Sequence, residues 1–161
     1  MSILAFLGFI FVLLCTDIGI KSCIENTIRC GEERRFLGGR IIVRKVYNKG
    51  VAFNAMEQEP EKVKKLTTIL AVILTIYTLI ALIRKRSFFE RSGLSLMTAG
   101  AWGNVFDRHV RGYVIDYLAI SSKNEKVNRI TFNLADLLIA EGVMHYMLFS
   151  VLPSKRKSAE S

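Results

Sequence analysis

Long runs of apolar residues with almost no charge constrain this chain more than any other feature. A helix needs about 20 mostly apolar residues to cross the hydrocarbon core of a bilayer, within a range of roughly 17–25. Residues Leu66–Ile83 contain no charged side chain, and Ile3–Ile20 contain one, Asp17, near the end of the run. Residues Leu134–Leu152 form a third run with two acidic residues inside it. These lengths predict transmembrane helices rather than the alternative, a buried helical core.

A fourth segment, Ser92–Phe106, is shorter and only mildly apolar, and it contains three glycines. Small residues let helices approach closely inside a membrane bundle, where dispersion forces hold the helices together. We therefore expect this segment to be an interior span. The sequence then predicts an all-α membrane protein, in which residues 1–161 form one polytopic domain with four transmembrane helices.

The composition favours lipids rather than nucleic acid as partners. The 161 residues are 51% hydrophobic and yet carry a formal net charge of +9. That combination is not typical of disorder, of a fibrous repeat or of a disulfide-rich secreted module. Lipid headgroups and the positive-inside rule explain basic residues beside apolar runs. We expect membrane lipids as partners, no nucleic acid, and a monomer.

The first apolar run lacks the features of a cleaved signal peptide. Such a peptide has basic residues before its apolar part and small residues at its cleavage site. Only two residues precede the run, and the three residues ahead of Cys15 are Val and Leu. We expect this run to be retained as a transmembrane helix.

Four spans leave both termini on one side of the membrane. The linker Arg84–Arg91 has four basic residues in eight, and the tail after Pro153 has three in a row. The two opposite loops hold 16 of the 23 basic residues. Those loops are long, and the positive-inside rule is strongest for short loops close to the spans. We therefore expect cytoplasmic termini.

The outer loop, residues 21–65, has the composition of an ordered structure. Ile41–Tyr47 is typical of a strand, and Asn48–Gly50 after it is a turn signal. Val51–Phe53 continues as a second apolar edge, and Pro60 marks the start of a short amphipathic helix. The loop predicts a small β-cradle on the membrane surface with a short interfacial helix.

The cysteines and histidines give weak signals. Cys23 and Cys30 pair only if the loop faces an oxidising compartment, and the odd cysteine count shows no disulfide framework. No Cys or His lies at a metal-ligand spacing, so we expect no metal site.

Acidic residues beside the apolar runs are more informative, because a carboxylate at bilayer depth is costly. Asp116 lies in a short apolar stretch, and Asp136 falls in the first turn of the last run, after the natural N-cap Asn133. The 20 residues between the two acids allow them to meet near the outer face. Two such carboxylates share one proton, as in an aspartic protease. The alternative is a helix-capping acid and an unrelated loop acid.

Four motifs resemble those of the lipoprotein signal peptidases (signal peptidase II), in the same order and with similar spacing. They are Asn48–Phe53, Ala99–Arg108, Gly112–Tyr117 and Phe132–Asp136. The resemblance implies two catalytic aspartates, Asp116 and Asp136. It implies four supporting or substrate-binding residues: Asn48, Asn104, Arg108 and Asn133.

Each supporting residue has an expected role. Asn104 and Arg108 are four residues apart and share one helix face, where Arg108 would hold a substrate carbonyl or orient an acid. Asn133 would fix the rotamer of Asp136, and Asn48 would hydrogen-bond the substrate backbone. The alternatives are an interfacial charge for Arg108 and capping or helix packing for Asn104 and Asn133.

The resemblance also implies the substrate and the location. The family cleaves prolipoproteins on the amino side of a cysteine that carries diacylglycerol, and no cofactor is implied. The enzyme would lie in the bacterial plasma membrane, with its site near the extracytoplasmic face.

Two features depart from the family pattern. The family's D-Q-x-[ST]-K sequence reads Asp17-Ile-Gly-Ile-Lys21 here, so we expect a thinned polar network with no clear role for Asp17. Glu141 and His145, four residues apart, are unexpected, and we predict a structural pair rather than a second active centre.

Two rival functions use the same acids. A transporter or proton pathway would spread them along one route through the membrane. A catalytically inactive scaffold would tolerate Asp116→Asn or Asp136→Asn.

Overall fold

The computed structural model describes residues 2–50 and 56–151, so the predicted apolar edge Val51–Phe53 and the basic tail lie outside it. In chain order the elements are α1 (Ile3–Thr27), β1 (Glu33–Phe36), β2 (Ile41–Asn48), α2 (Pro60–Ile83), α3 (Phe88–Val110), β3 (Val114–Ile120), α4 (Glu125–Asn128) and α5 (Leu134–Val151).

The three strands form one antiparallel sheet in the order β1-β2-β3. The predicted strand Ile41–Tyr47 is confirmed as β2, which is one residue longer and lies in the centre. Asn48 pairs with Val114, and Val46 pairs with Asp116. The register brings the end of β2 beside the start of β3.

Helix α3 lies at the centre of the helical bundle and packs against α1, α2 and α5. Its small residues make this possible, as expected for Ser92–Phe106. A Cβ added at Gly93 would lie 2.8 Å from the carbonyl oxygen of Gly142, so α3 and α5 touch backbone to backbone. The mostly helical chain therefore has an interior helix with few large side chains.

Among the described residues, two helices are long and apolar enough to cross a membrane. They are α1 and α2, each with a mean hydropathy of 2.5. Helix α1 continues past the predicted end of its apolar run at Ile20 as far as Thr27.

The predicted short helix at Pro60 is wrong. Pro60 is the first residue of α2, which runs without a break into the apolar run. Proline is well suited to a first helical turn because its missing N–H would have no partner there. No helix-breaking residue follows it before Leu66, so the amphipathic start and the apolar run form one helix. The only other short helix in the described chain is α4, with four residues.

The two ends of the bundle differ. At one end, which we call the sheet end, the last turns of α1 and α3 meet the first turns of α2 and α5 below the strands, as the hydrogen bond between Thr68 and His109 illustrates. At the opposite end, the far end, Phe6 packs against Phe88. The three cysteines of the chain are exposed free thiols.

Candidate functional site

Asp116 and Asp136 line one cavity of about 880 Å³ at the sheet end. Asp116 belongs to β3 and is only 4% exposed, and Asp136 belongs to the first turn of α5. The sequence therefore predicted correctly that the two acids meet at one level. The chain between them returns through α4 and a bridge between Leu118 and Phe132.

Each of the four carboxylate oxygens accepts one N–H group. Asp116 accepts from Asn133 Nδ2 at 2.6 Å and from Asn48 Nδ2 at 3.0 Å. Asp136 accepts from Asn104 Nδ2 at 2.9 Å and from the backbone N–H of Asn133 at 3.1 Å. Carboxylates held this way are fixed in orientation and tolerate burial better than unpaired ones.

Asn133 connects the two acids through a reciprocal helix cap. Its Oδ1 accepts the backbone N–H of Asp136 at 3.0 Å, while its own N–H donates to the Asp136 carboxylate. This is a capping box with Asp at the third helical position. Because Oδ1 is occupied by a donor, Nδ2 is turned toward Asp116. The expectation that Asn133 fixes Asp136 agrees with this geometry.

The other two asparagines are oriented in the same way. Lys21 Nζ donates to Asn104 Oδ1 at 2.9 Å, so Asn104 must turn its amide nitrogen toward Asp136. The backbone N–H of Gly50 donates to Asn48 Oδ1 at 2.9 Å, and the amide nitrogen of Asn48 turns toward Asp116. Asn48 was expected to bind substrate backbone, but here its amide is occupied by Gly50 and Asp116.

The pKa of Asp116 is raised from 3.8 to about 6. Burial is the largest cause, and the neighbouring charge of Asp136 adds to it. The hydrogen bonds from Asn48 and Asn133 and the charge of Lys21 lower the pKa and offset part of this rise. Asp116 therefore keeps its proton to a higher pH than an ordinary aspartate and is half protonated at about pH 6.

Arg108 braces the turn after β2. Its guanidinium donates to the carbonyl oxygen of Gly50 at 2.7 Å and to that of Asn104 at 3.3 Å. Asn104 and Arg108 share one helix face as expected, but the carbonyl groups held are the protein's own. Among the described residues the buried Nε of Arg108 has no hydrogen-bond partner, and the side chain lines the cavity. One donor thus remains for another acceptor.

The chain is similar to known proteins in both sequence and fold. A sequence profile described as Signal peptidase (SPase) II matches residues 9–152. The chain belongs to the signal peptidase II family. It is 33% identical to a lipoprotein signal peptidase of Enterococcus faecalis over 89% of this chain and 86% of that protein. It is 29% identical to one of Sulfurihydrogenibium over 97% of this chain and 96% of that protein.

The fold is also similar to solved structures. A structure described as a bacterial membrane enzyme superposes with a TM-score of 0.83 at 22% identity, covering 99% of this chain and 95% of that one. A second structure with the same description gives a TM-score of 0.79 at 21% identity and covers 94% of this chain. The signal peptidase II family thus accounts for both the motifs and the fold, and the chain is a membrane peptidase by family.

The expectation that this signal peptidase II chain has a thinned polar network with no clear role for Asp17 is wrong. Asp17 and Lys21 are both 0% exposed, and Lys21 Nζ lies 2.7 Å from Asp17 Oδ2 and 3.2 Å from Asp107 Oδ2. Asp17 and Lys21 therefore form a close, fully buried ion pair. Asp107 also pairs with Arg111. We call Asp17, Lys21 and Asp107 the buried ion cluster.

The buried ion cluster reaches the first turn of α5. Asp17 Oδ1 accepts the backbone N–H of Ala135 at 3.0 Å, and the hydroxyl of Tyr117 accepts that of Leu134 at 3.2 Å. A Cβ on Gly103 would clash with the Asp17 carboxylate, so the close approach requires glycine there. Sequence reasoning missed these contacts. The available signal was the i, i+4 spacing of opposite charges in an apolar helix.

Glu141 and His145 form the pair predicted from their spacing. His145 Nε2 lies 3.2 Å from Glu141 Oε1, with side chains 30% and 50% exposed, and neither residue lines the cavity. In the described part of the chain, no group of three His, Cys, Asp or Glu is arranged to hold a metal ion.

Proposed function

We propose that this chain is an aspartic endopeptidase that removes signal peptides from prolipoproteins. The signal peptidase II profile and the lipoprotein signal peptidases among its relatives support this substrate class. The proposed substrate carries diacylglycerol on a cysteine, and the proposed scissile bond lies on the amino side of that cysteine. One observation carries the proposal: two carboxylates share a cavity, and an N–H donor holds each of their oxygens.

The proposed reaction needs one protonated and one ionised carboxyl. Asp116, with its raised pKa, carries the proton, and ionised Asp136 is the general base. Asp136 takes a proton from water, the water oxygen attacks the scissile carbonyl carbon, and Asp116 protonates the carbonyl oxygen. The tetrahedral intermediate then collapses as the C–N bond breaks, and the amide nitrogen of the departing cysteine receives a proton from Asp136. Asp116 recovers its own proton from the intermediate's hydroxyl group.

The supporting residues follow from the hydrogen bonds. Asn48, Asn104 and Asn133 orient the carboxylates, and Arg108 holds the Gly50 carbonyl at the edge of the cavity. The Nε of Arg108 is the proposed donor to a substrate carbonyl, because it is buried beside the cavity and no described residue accepts its hydrogen bond.

The proposed topology has four spans, with α3 and α5 joining α1 and α2 across the membrane. Both termini would then be cytoplasmic, and the carboxylates would lie near the extracytoplasmic face of a bacterial plasma membrane. The basic linker between α2 and α3 supports this orientation. A lipid-modified substrate would reach the cavity from within the bilayer.

The test uses purified protein in liposomes with a diacylglyceryl-modified prolipoprotein. Wild type should release the shortened lipoprotein, and Asp116→Asn and Asp136→Asn should each lower kcat/KM by roughly 10²–10⁴-fold. Glu141→Gln is the matched control, since this acid lies outside the cavity. Full cleavage by Asp136→Asn would reject the aspartic mechanism, whereas absence of cleavage by wild type would favour the inactive-scaffold alternative.

A further inference from the structure

The cavity below the two carboxylates extends into a cleft between α2 and α5. Both helices pack against α3 and, over the described residues, make no extensive contact with each other. The deeper walls are apolar: Leu70, Leu74, Met97, Ala101, Ile139 and Ala140. The cleft is therefore an apolar path that leads from the site along the helix axes.

The walls of the cleft are held firmly on α3. Trp102 Nε1 donates to Thr75 Oγ1 at 2.8 Å, and the hydroxyls of Thr78 and Thr98 lie 2.8 Å apart, so α2 is tied to α3 at two points. On the other side, glycine contacts bring α5 against α3. The cleft is thus preformed rather than opened by moving a helix.

A hydrogen bond between two tyrosines joins α2 to α5 below the cavity. The hydroxyls of Tyr77 and Tyr146 lie 3.0 Å apart, and we call this pair the tyrosine clasp. Tyr77 is three residues beyond Leu74, the last α2 residue that lines the cavity. Side chains on a helix lean toward its N-terminus, which for both helices is the sheet end, so the two rings point back toward the cleft.

The clasp lies a defined distance from the carboxylates. Tyr146 is ten residues beyond Asp136 on the same helix. At 1.5 Å per helical residue this separation is about 15 Å. A helical peptide of about ten residues has the same length, and the apolar segments of signal peptides have roughly 7–15 residues.

We propose that the tyrosine clasp is a length gauge for the apolar segment of the signal peptide. This inference rests on the proposed function. The residues before the scissile bond are attached to the carbonyl carbon that water would attack between the two carboxylates, and the cleft is the apolar path that leaves that position. A segment of up to about ten residues lies in the cleft, whereas a longer one is turned out into the lipid at the clasp and loses contacts.

The experiment measures kcat/KM for prolipoproteins with apolar segments of about 7, 10, 13 and 16 residues. The enzymes are wild type, Tyr77→Ala and Tyr146→Ala in liposomes. Wild type should lose about tenfold beyond the ten-residue substrate, and both alanine variants should abolish that decline. The ten-residue substrate should change by less than about twofold. Ile76→Ala is the control, because Ile76 is exposed on α2 and does not line the cavity.

Conservative variants separate loss of the hydrogen bond from loss of the fold. Tyr77→Phe and Tyr146→Phe keep the rings and remove the hydrogen bond between the two hydroxyls. An unchanged length profile in the alanine variants, with normal cleavage of the ten-residue substrate, overturns the clasp and leaves the proposed function intact. Absence of cleavage by wild type overturns the proposed function itself.

A second substrate series varies the acyl chains at a fixed peptide length. The clasp variants should leave the acyl-chain preference unchanged. A shift in acyl-chain preference without a shift in peptide-length preference would mean that the cleft holds lipid chains, and the proposal would be rejected.

Discussion

Two pairs of opposite charges with the same four-residue spacing behave differently in this molecule. Asp17 and Lys21 in α1 are fully buried at the sheet end and contact α3 and α5. Glu141 and His145 in α5 are partly exposed, and their further contacts are a long hydrogen bond to Ser92 and an edge contact with Phe89.

The difference shows that spacing predicts a pair but not its importance. A buried ion pair is costly to desolvate and is kept only when other groups satisfy it. Lys21 meets this condition because it pairs with Asp17 and Asp107 and also donates a hydrogen bond to Asn104. Its ammonium group therefore links α1 and α3 to the orientation of Asp136 on α5. Glu141 and His145 link two turns of one helix.

Replacing Lys21 with methionine should cause the largest loss. Lys21→Met leaves Asp17 buried without a counter-ion and leaves Asp107 with Arg111 alone, which should cost about 3–5 kcal/mol of stability. The Asn104 amide would also lose the donor that orients it, so kcat/KM should fall even in protein that folds. Thermal unfolding followed by the fluorescence of Trp102, together with prolipoprotein cleavage, checks both effects.

Lys62→Met is the matched control for this change. Lys62 pairs with Glu59 at 2.7 Å on the surface and is 71% exposed, so its loss should cost less than about 0.5 kcal/mol. Adding Asp17→Asn to Lys21→Met should restore part of the stability and none of the activity. Equal losses in the Lys21 and Lys62 variants would show that burial does not distinguish the two pairs.

The sequence predicted the position of Asp136 because a local pattern carried the information. Asn133 is a natural N-cap, and the capping geometry fixes Asp136 within one turn. The pairing of Glu141 with His145 was likewise predictable, since helix spacing alone brings them together.

What the sequence could not supply are contacts between distant segments. The donor that orients Asn104 is Lys21, 83 residues earlier in the chain. No local pattern encodes that pairing, so the loss of the family's usual glutamine and hydroxyl gave the wrong impression of a weak network around Asp17. The short helix predicted at Pro60 failed for a different reason. Pro60 does begin a helix, but no helix-breaking residue follows it, so the helix continues into the apolar run.

The pH dependence of stability should reveal the contribution of Asp116, since its pKa is raised on folding. A carboxyl whose pKa rises from 3.8 to about 6 on folding contributes stability that is full below the unfolded value and is lost as pH rises through about 6. The expected loss is about 3 kcal/mol. Melting temperatures of wild type and Asp116→Asn across this window should therefore diverge, with the variant showing the flatter profile.

The pH dependence of kcat/KM should reflect the protonation of the same carboxyl group, Asp116. Above pH about 6 Asp116 loses the proton that the proposed reaction needs, so kcat/KM should fall about tenfold per pH unit. At lower pH the base is protonated in turn, and the profile should be bell-shaped. A flat profile from acid to alkaline pH would contradict a shared proton.

The hydroxyl of Tyr117 should have a smaller effect at the same end. Tyr117→Phe leaves the first N–H of α5 without its acceptor in a buried position, which should cost about 1–2 kcal/mol. Tyr113→Phe is the control, because its hydroxyl lies 3.5 Å from Glu25, at the limit of a hydrogen bond. Thermal unfolding should separate the two variants, and equal melting temperatures would argue against a role for Tyr117 in holding α5.

Neutralising the exposed pair should have the smallest effect. Glu141→Gln removes one charge from a side chain that is 50% exposed, so the cost should stay below about 0.5 kcal/mol and kcat/KM should change by less than about twofold. Since Glu141 directly follows Ala140, the last α5 residue that lines the cavity, a proton route that continues along α5 would use it. A large loss of activity in Glu141→Gln with normal stability would therefore show that activity requires Glu141, and it would support the proton-pathway alternative. A small effect confines the chemistry to the carboxylates at the sheet end.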